Sequence, residues 1–140
     1  MNITMTTKLT TLTLMTTFGL ALTAAAADTA QLPPAAAKTG VTYATDIKPI
    51  LDQSCVKCHS GEKPKARLKL DTLEGALKGS KDGKILTAGD SANSFVVKSV
   101  AHLTDDHDSW MPPAHNKANI GPLTPDQIGL IRAWIDQGAK

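Results

Sequence analysis

Three stretches of the chain place apolar residues at helical spacing, and none alternates with a period of two. Ile47, Ile50 and Leu51 share one face of a helix that Thr45 can cap, with Asp46 in its first turn. Pro49 falls early enough in that helix to be tolerated. Phe95, Val96, Val100 and Leu103 form a second stripe, capped by Asp90 or Ser91 and running to about Leu103. Ile128, Ile131, Trp134 and Ile135 form the third. Its start is the best marked in the chain: Thr124 at the N-cap, Pro125 at the first helical position and Gln127 at the third. Gly138 can end it. A shorter helix is read from its cap alone, since Asp71-Thr72-Leu73-Glu74 has capping-box spacing and Gly79 follows. The pattern predicts an all-α domain.

The segments between these helices are uneven. Residues 60–70 form a charged loop, and Gly79 to Gly89 is rich in turn residues. Thr104 to Leu123 is a long loop with Pro112-Pro113 in it, and loops of that length in compact domains tend to carry function.

The N-terminus has a different character. Lys8 precedes a mostly apolar, threonine-diluted run from Leu9 to Leu22, and Ala24 to Ala27 offers small residues before Asp28. Residues 1–27 read as a secretory signal peptide, which places the mature protein in the periplasm. The run is too short and too polar for a stable membrane span, which needs about 20 predominantly apolar residues. Residues 28–42, rich in Ala, Thr and Pro, read as a flexible or extended leader, and residues 43–140 as the folded domain.

Composition narrows the function. The formal net charge is +2 and aromatics make up 4% of the chain. Nucleic-acid binders carry a strongly basic face, and no such excess exists here. A large flat apolar cofactor would enlarge so aromatic-poor a core.

The chemistry concentrates at Cys55-Val56-Lys57-Cys58-His59, the C-x-x-C-H pattern of covalent haem attachment. Two thiols three positions apart on one turn can reach both vinyl groups of a porphyrin, and the next residue offers an imidazole to the iron. Competing readings are a thioredoxin-like redox pair, which needs a βαβ setting, and a plain disulfide. A third is zinc held by Cys55, Cys58 and one or two of His59, His102, His107 and His115.

Outside the signal segment the chain has one methionine, Met111, between Trp110 and Pro112-Pro113. Proline stiffens the backbone around it, which suits a thioether held against iron. The rival uses of that position are a methionine that fills a gap, or a second haem ligand drawn from His102, His107 or His115. His/Met ligation raises the reduction potential.

Together these residues resemble the planctomycete-type cytochrome c domain, within the wider class I cytochrome c fold. The resemblance runs from Tyr43 to Ala139. It is carried by Asp46 to Leu51, the haem motif, Arg67-Leu68-Lys69-Leu70-Asp71-Thr72, Gly89-Asp90 with Ser94, Trp110 to Pro113, and Trp134 to Ala139. It implies a helical fold around one covalently bound haem c, with His59 and Met111 as axial ligands. It also implies a role for Arg67 on a haem propionate, where a guanidinium can bind a carboxylate bidentately. The family commonly has glycine where Ala66 stands.

The expected function is one-electron transfer between redox partner proteins, without a catalytic centre of its own. Lys57, Lys63, Lys65, Arg67 and Lys69, against the single acid Glu62, form a basic segment on which an acidic partner can dock. The alternatives are a haem subunit of a larger oxidoreductase complex, and a small-ligand or peroxidatic haem protein in which Met111 is displaced.

Overall fold

The computed structural model describes residues 31–140, so the signal-peptide reading of residues 1–27 lies outside the described residues. Among the described residues there are four α-helices: α1 (Lys48–Ser54), α2 (Leu73–Lys78), α3 (Phe95–Val100) and α4 (Pro125–Asp136). Among the described residues there is no strand, only an isolated bridge between Ser80 and Gly83. No described helix is long and apolar enough to cross a membrane.

The first helix starts earlier than its sequence pattern predicts. A π-helical turn, Tyr43–Ile47, runs directly into α1, and Thr42 caps it by accepting the Thr45 N–H at 3.4 Å. The early start brings Tyr43 into the core beside Ile47, which is fully buried. Pro49 sits in the first turn of α1, where a missing N–H costs nothing. In α2 the cap is Thr72, whose hydroxyl accepts the Gly75 N–H at 3.1 Å.

Helix α3 is shorter than expected, for a traceable reason. The Asp90 carboxylate accepts from the backbone N–H of Asn93 (3.1 Å) and from its side-chain amide (2.8 Å). Ser91 is bound to the carboxylate of Asp136 through both its N–H (2.8 Å) and its hydroxyl (2.9 Å). Asp90 therefore caps only the isolated turn that follows it, Ser91 is held by Asp136, and Ser94 takes the N-cap position of α3. At the other end His102 turns left-handed (φ 57°), and the Leu103 N–H closes back on the Lys98 carbonyl at 2.8 Å. The later start changes the buried face: Val97 is wholly buried, whereas Phe95 is 49% exposed.

Helix α4 forms as its sequence predicts. Thr124 accepts the Gln127 N–H at 3.2 Å, and the Gln127 side chain accepts the Thr124 N–H at 2.9 Å. Its predicted stripe, Ile128, Ile131, Trp134 and Ile135, is buried throughout. It packs on the Tyr43–Ile47 turn and on α3. Trp134 lies 6.0 Å from Tyr43, ring centroid to centroid, and its indole N–H donates to the Lys140 carbonyl at 2.9 Å.

Residues 31–42 lack regular secondary structure and are fastened to α4 and to Gln137 just after it. Ala36 N–H donates to the Gly129 carbonyl at 2.9 Å, and Gln137 bonds both the Val41 N–H (3.1 Å) and the Lys38 carbonyl (2.8 Å). Arg132 donates to the Pro33 carbonyl. The close approach needs a glycine, since a Cβ at Gly129 would lie 2.7 Å from the Pro34 carbonyl oxygen. Lys38 also pairs with Asp46, and that contact, with the Thr42 and Thr45 donors, lowers the Asp46 carboxyl to about 2.

Candidate haem-attachment site

Helix α1 ends where the attachment motif begins, and the chain continues as a tight turn. Cys55 N–H donates to Leu51 O (2.8 Å), Cys58 N–H to Cys55 O (3.1 Å) and His59 N–H to Cys55 O (3.0 Å). Both sulfurs thus sit on one turn, unpaired and half-buried. Burial pushes the Cys55 thiol up to about 11, with Cys58 adding to the rise.

His59 is buried, and its backbone is held on both sides. Lys65 N–H donates to Cys58 O at 3.0 Å, and Leu70 N–H to His59 O at 2.8 Å. Its Nδ1 lies 3.2 Å from the Lys65 carbonyl. A carbonyl only accepts, so Nδ1 carries the proton and Nε2 keeps its lone pair for a metal. Burial holds the imidazole pKa below its usual value, against the backbone acceptors that raise it. A neutral imidazole is the ligating form.

Met111 arrives from the long loop between α3 and α4. Its N–H donates to the Ser99 carbonyl at 3.0 Å, which ties the loop to α3. Pro112 behind it is buried.

These four side chains line one cavity of about 690 Å³. That is within the range of about 300–1,000 Å³ typical of small-molecule and cofactor sites. Its walls are mostly apolar and include Leu51, Leu68, Ile85, Val100, Ile131 and Trp134. Lysines, serines and Asp82, Asp108 and Asn116 stand among the lining residues as its polar part. The donor set fits haem c: two thiols for thioether bonds, an imidazole with a free nitrogen, a thioether sulfur, and an apolar enclosure for the ring. Among the described residues no three His, Cys, Asp or Glu side chains converge as a metal cluster, so the two cysteines lack the partners of a tetrahedral zinc site.

Arg67 lies apart from the other four. It is exposed and lines a separate cleft with Lys63, Lys69 and Lys78, while its neighbours Lys65, Ala66 and Leu68 line the cavity. The local backbone explains the split. Ala66 and Arg67 both adopt left-handed φ values, 51° and 55°, inside the turn Lys65–Arg67. This turn aims the Lys65 carbonyl at His59. It also accounts for glycine being common where Ala66 stands, because a Cβ in that region costs about 1–2 kcal/mol. Ala66→Gly is therefore expected to raise unfolding stability by about 1 kcal/mol, after the entropy a glycine loses on folding. Denaturant titration of both proteins measures it, and a destabilised variant would contradict the strain argument.

Of the four histidines only His59 lines the cavity. His102 and His107 instead pack on Trp110, and His115 is exposed. The sequence patterns do not mark the Ser99 and Lys65 carbonyls as holding the two ligand-bearing segments, because backbone acceptors leave no side-chain signature.

No curated protein and no solved structure matches the chain. The family model described as Planctomycete cytochrome C matches residues 55–115, a span that holds Cys55, Cys58, His59 and Met111 together. The segment from Cys55 to His115 is thus similar to a planctomycete-type cytochrome c domain, the kind of domain that implies haem c and redox partners.

Proposed function

We propose that this protein is an exported electron carrier holding a single haem c, with Cys55 and Cys58 as the covalent anchors and His59 and Met111 as the iron ligands. The observation that carries the reading is the meeting of two thiols, a neutral imidazole and the thioether of Met111 on one largely apolar cavity. When bound, haem c supplies an iron that cycles between two oxidation states. The chain's own residues do the rest. The cysteines keep the cofactor from being lost outside the cytoplasm. His59 presents Nε2 because Lys65 holds Nδ1. Met111 offers a soft sulfur that favours the reduced iron and raises the potential. The apolar walls exclude water. With His59 and Met111 both holding the metal, the chain would leave no open position for small molecules, and the bound group would supply electron exchange with a partner.

Export to the periplasm is part of the proposal and rests on the character of residues 1–27. The partner's docking surface is the basic segment Lys57 to Lys69, to which the fold adds Lys78 on the cleft shared with Lys63, Arg67 and Lys69. Four cations against Glu62 leave that cleft positive, and such an excess speeds encounter with an acidic partner. Electron-transfer rates to such a partner are expected to fall as salt rises, because screening shortens to about 8 Å at physiological ionic strength. A rate that ignores salt removes this surface from the proposal.

A denaturing gel stained for haem, with visible spectra of the oxidised and reduced protein, tests the function. Covalent haem in the matured protein, lost in the Cys55→Ala/Cys58→Ala variant, is the expected result. A colourless mature protein, or one holding zinc, overturns it.

A further inference from the structure

The residue beside Met111 makes an unusual set of contacts that attachment of a cofactor does not require. The Trp110 indole lies parallel to the His102 ring, 4.9 Å between centroids and 4° between planes. It also packs against His107 at 4.0 Å and 38°. Its N–H donates to the Thr104 carbonyl at 3.2 Å. None of these three rings lines the cavity, so the cluster is not itself a ligand set.

The cluster is built into the end of α3. His102 stands there in a left-handed conformation, φ 57°, and its N–H donates to the Ser99 carbonyl at 3.3 Å. The same carbonyl accepts the Met111 N–H at 3.0 Å. One backbone oxygen therefore ties together the residue that stacks on Trp110 and the residue that follows Trp110. Left-handed backbone at a residue with a Cβ persists where its surroundings impose it, and it recurs at functional sites.

We propose that Trp110, held by His102 and His107, is the positioning residue for Met111. The inference rests on Met111 being an iron ligand. Methionine has three rotatable side-chain bonds, and a loop as long as Thr104 to Leu123 offers its backbone many positions. Fixing the backbone on the neighbouring indole raises the effective concentration of the sulfur at the iron, as a short tether does for a second binding event. Trp110 touches no cofactor in this arrangement and acts only through the residue it places.

The test uses the haem-loaded protein and three variants: Trp110→Ala, Trp110→Phe, and Met111→Ala as the reference for a lost sulfur ligand. Two quantities are read, the red absorption band that reports sulfur bound to ferric iron, and the carbon monoxide affinity of the reduced form. Haem content and melting temperature are followed alongside. Trp110→Ala is expected to lose most of the band and to bind carbon monoxide at least tenfold more tightly than the parent. Trp110→Phe is expected to recover more than half of the band, since a ring still packs against the imidazoles. A Trp110→Ala protein that melts lower but keeps the parent band and affinity overturns the proposal and leaves Trp110 a packing residue. If Trp110→Ala incorporates no haem, His102→Ala carries the test, with carbon monoxide bound about threefold more tightly expected and an unchanged affinity overturning it. A parent protein without the band overturns Met111 ligation itself, and the positioning role falls with it.

Discussion

With Met111 as the proposed iron ligand, its replacement by alanine is expected to lower the reduction potential by on the order of 0.1 V, a fraction of the roughly 0.8 V that axial ligands command. The direction follows from chemistry. A thioether is soft and stabilises ferrous iron, so its loss favours the ferric state. The size is large because the proposed change lies at the metal itself. The fold should tolerate the change. Met111 is only half-buried, and what fastens its segment is the Ser99 carbonyl and the Trp110 contacts, which alanine keeps. Redox titration of the purified holoprotein measures the shift. A potential equal to the parent's would show that another group holds the iron.

The second large effect is on stability. Trp134→Ala is expected to cost about 3–5 kcal/mol, the range for truncating a buried aromatic. Trp134 is 2% exposed, stands 6.0 Å from the Tyr43 ring and lines the cavity, so its removal opens a void between the core and the cofactor site. The Lys140 carbonyl would lose one of its two donors, keeping the Tyr43 N–H at 3.0 Å. Since domains are stable by only about 5–15 kcal/mol, this is a large share of the total. Trp134→Phe separates the two contributions, because it retains most of the area and loses the N–H, worth about 1 kcal/mol. Urea unfolding of the three proteins decides the matter, and a loss below about 1 kcal/mol for the alanine variant would contradict this account of the core.

Features governed by neighbours in the chain are legible in the sequence. The start of α4 depends on a few adjacent residues, and both hydrogen bonds of its capping box form. The attachment motif depends on one short run of residues, and its turn places both thiols together. Met111, singled out in the sequence by the prolines after it, lines the same cavity as the two thiols and His59. Expectation and structure part where a polar side chain has a distant competitor. Asp136 lies on α4, far along the chain from Ser91, and its hold on Ser91 helps to move the start of α3 and to bury Val97 in place of Phe95. Two successive left-handed residues, Ala66 and Arg67, place Arg67 on the outer cleft, a local backbone feature that no sequence pattern marks.

The sequence by itself determined the helical class, the cap of the last helix and the C-x-x-C-H spacing of Cys55, Cys58 and His59. Each of these is decided within one or two turns of chain, where covalent spacing dictates which groups can meet. Tertiary structure alone decided that His59 and Met111 share a cavity, that Lys65 and Ser99 hold their segments, that residues 31–42 run along α4, and that Trp110 packs on two imidazoles. Such meetings depend on how separate helices pack, and packing is a property of the whole core that no local window contains.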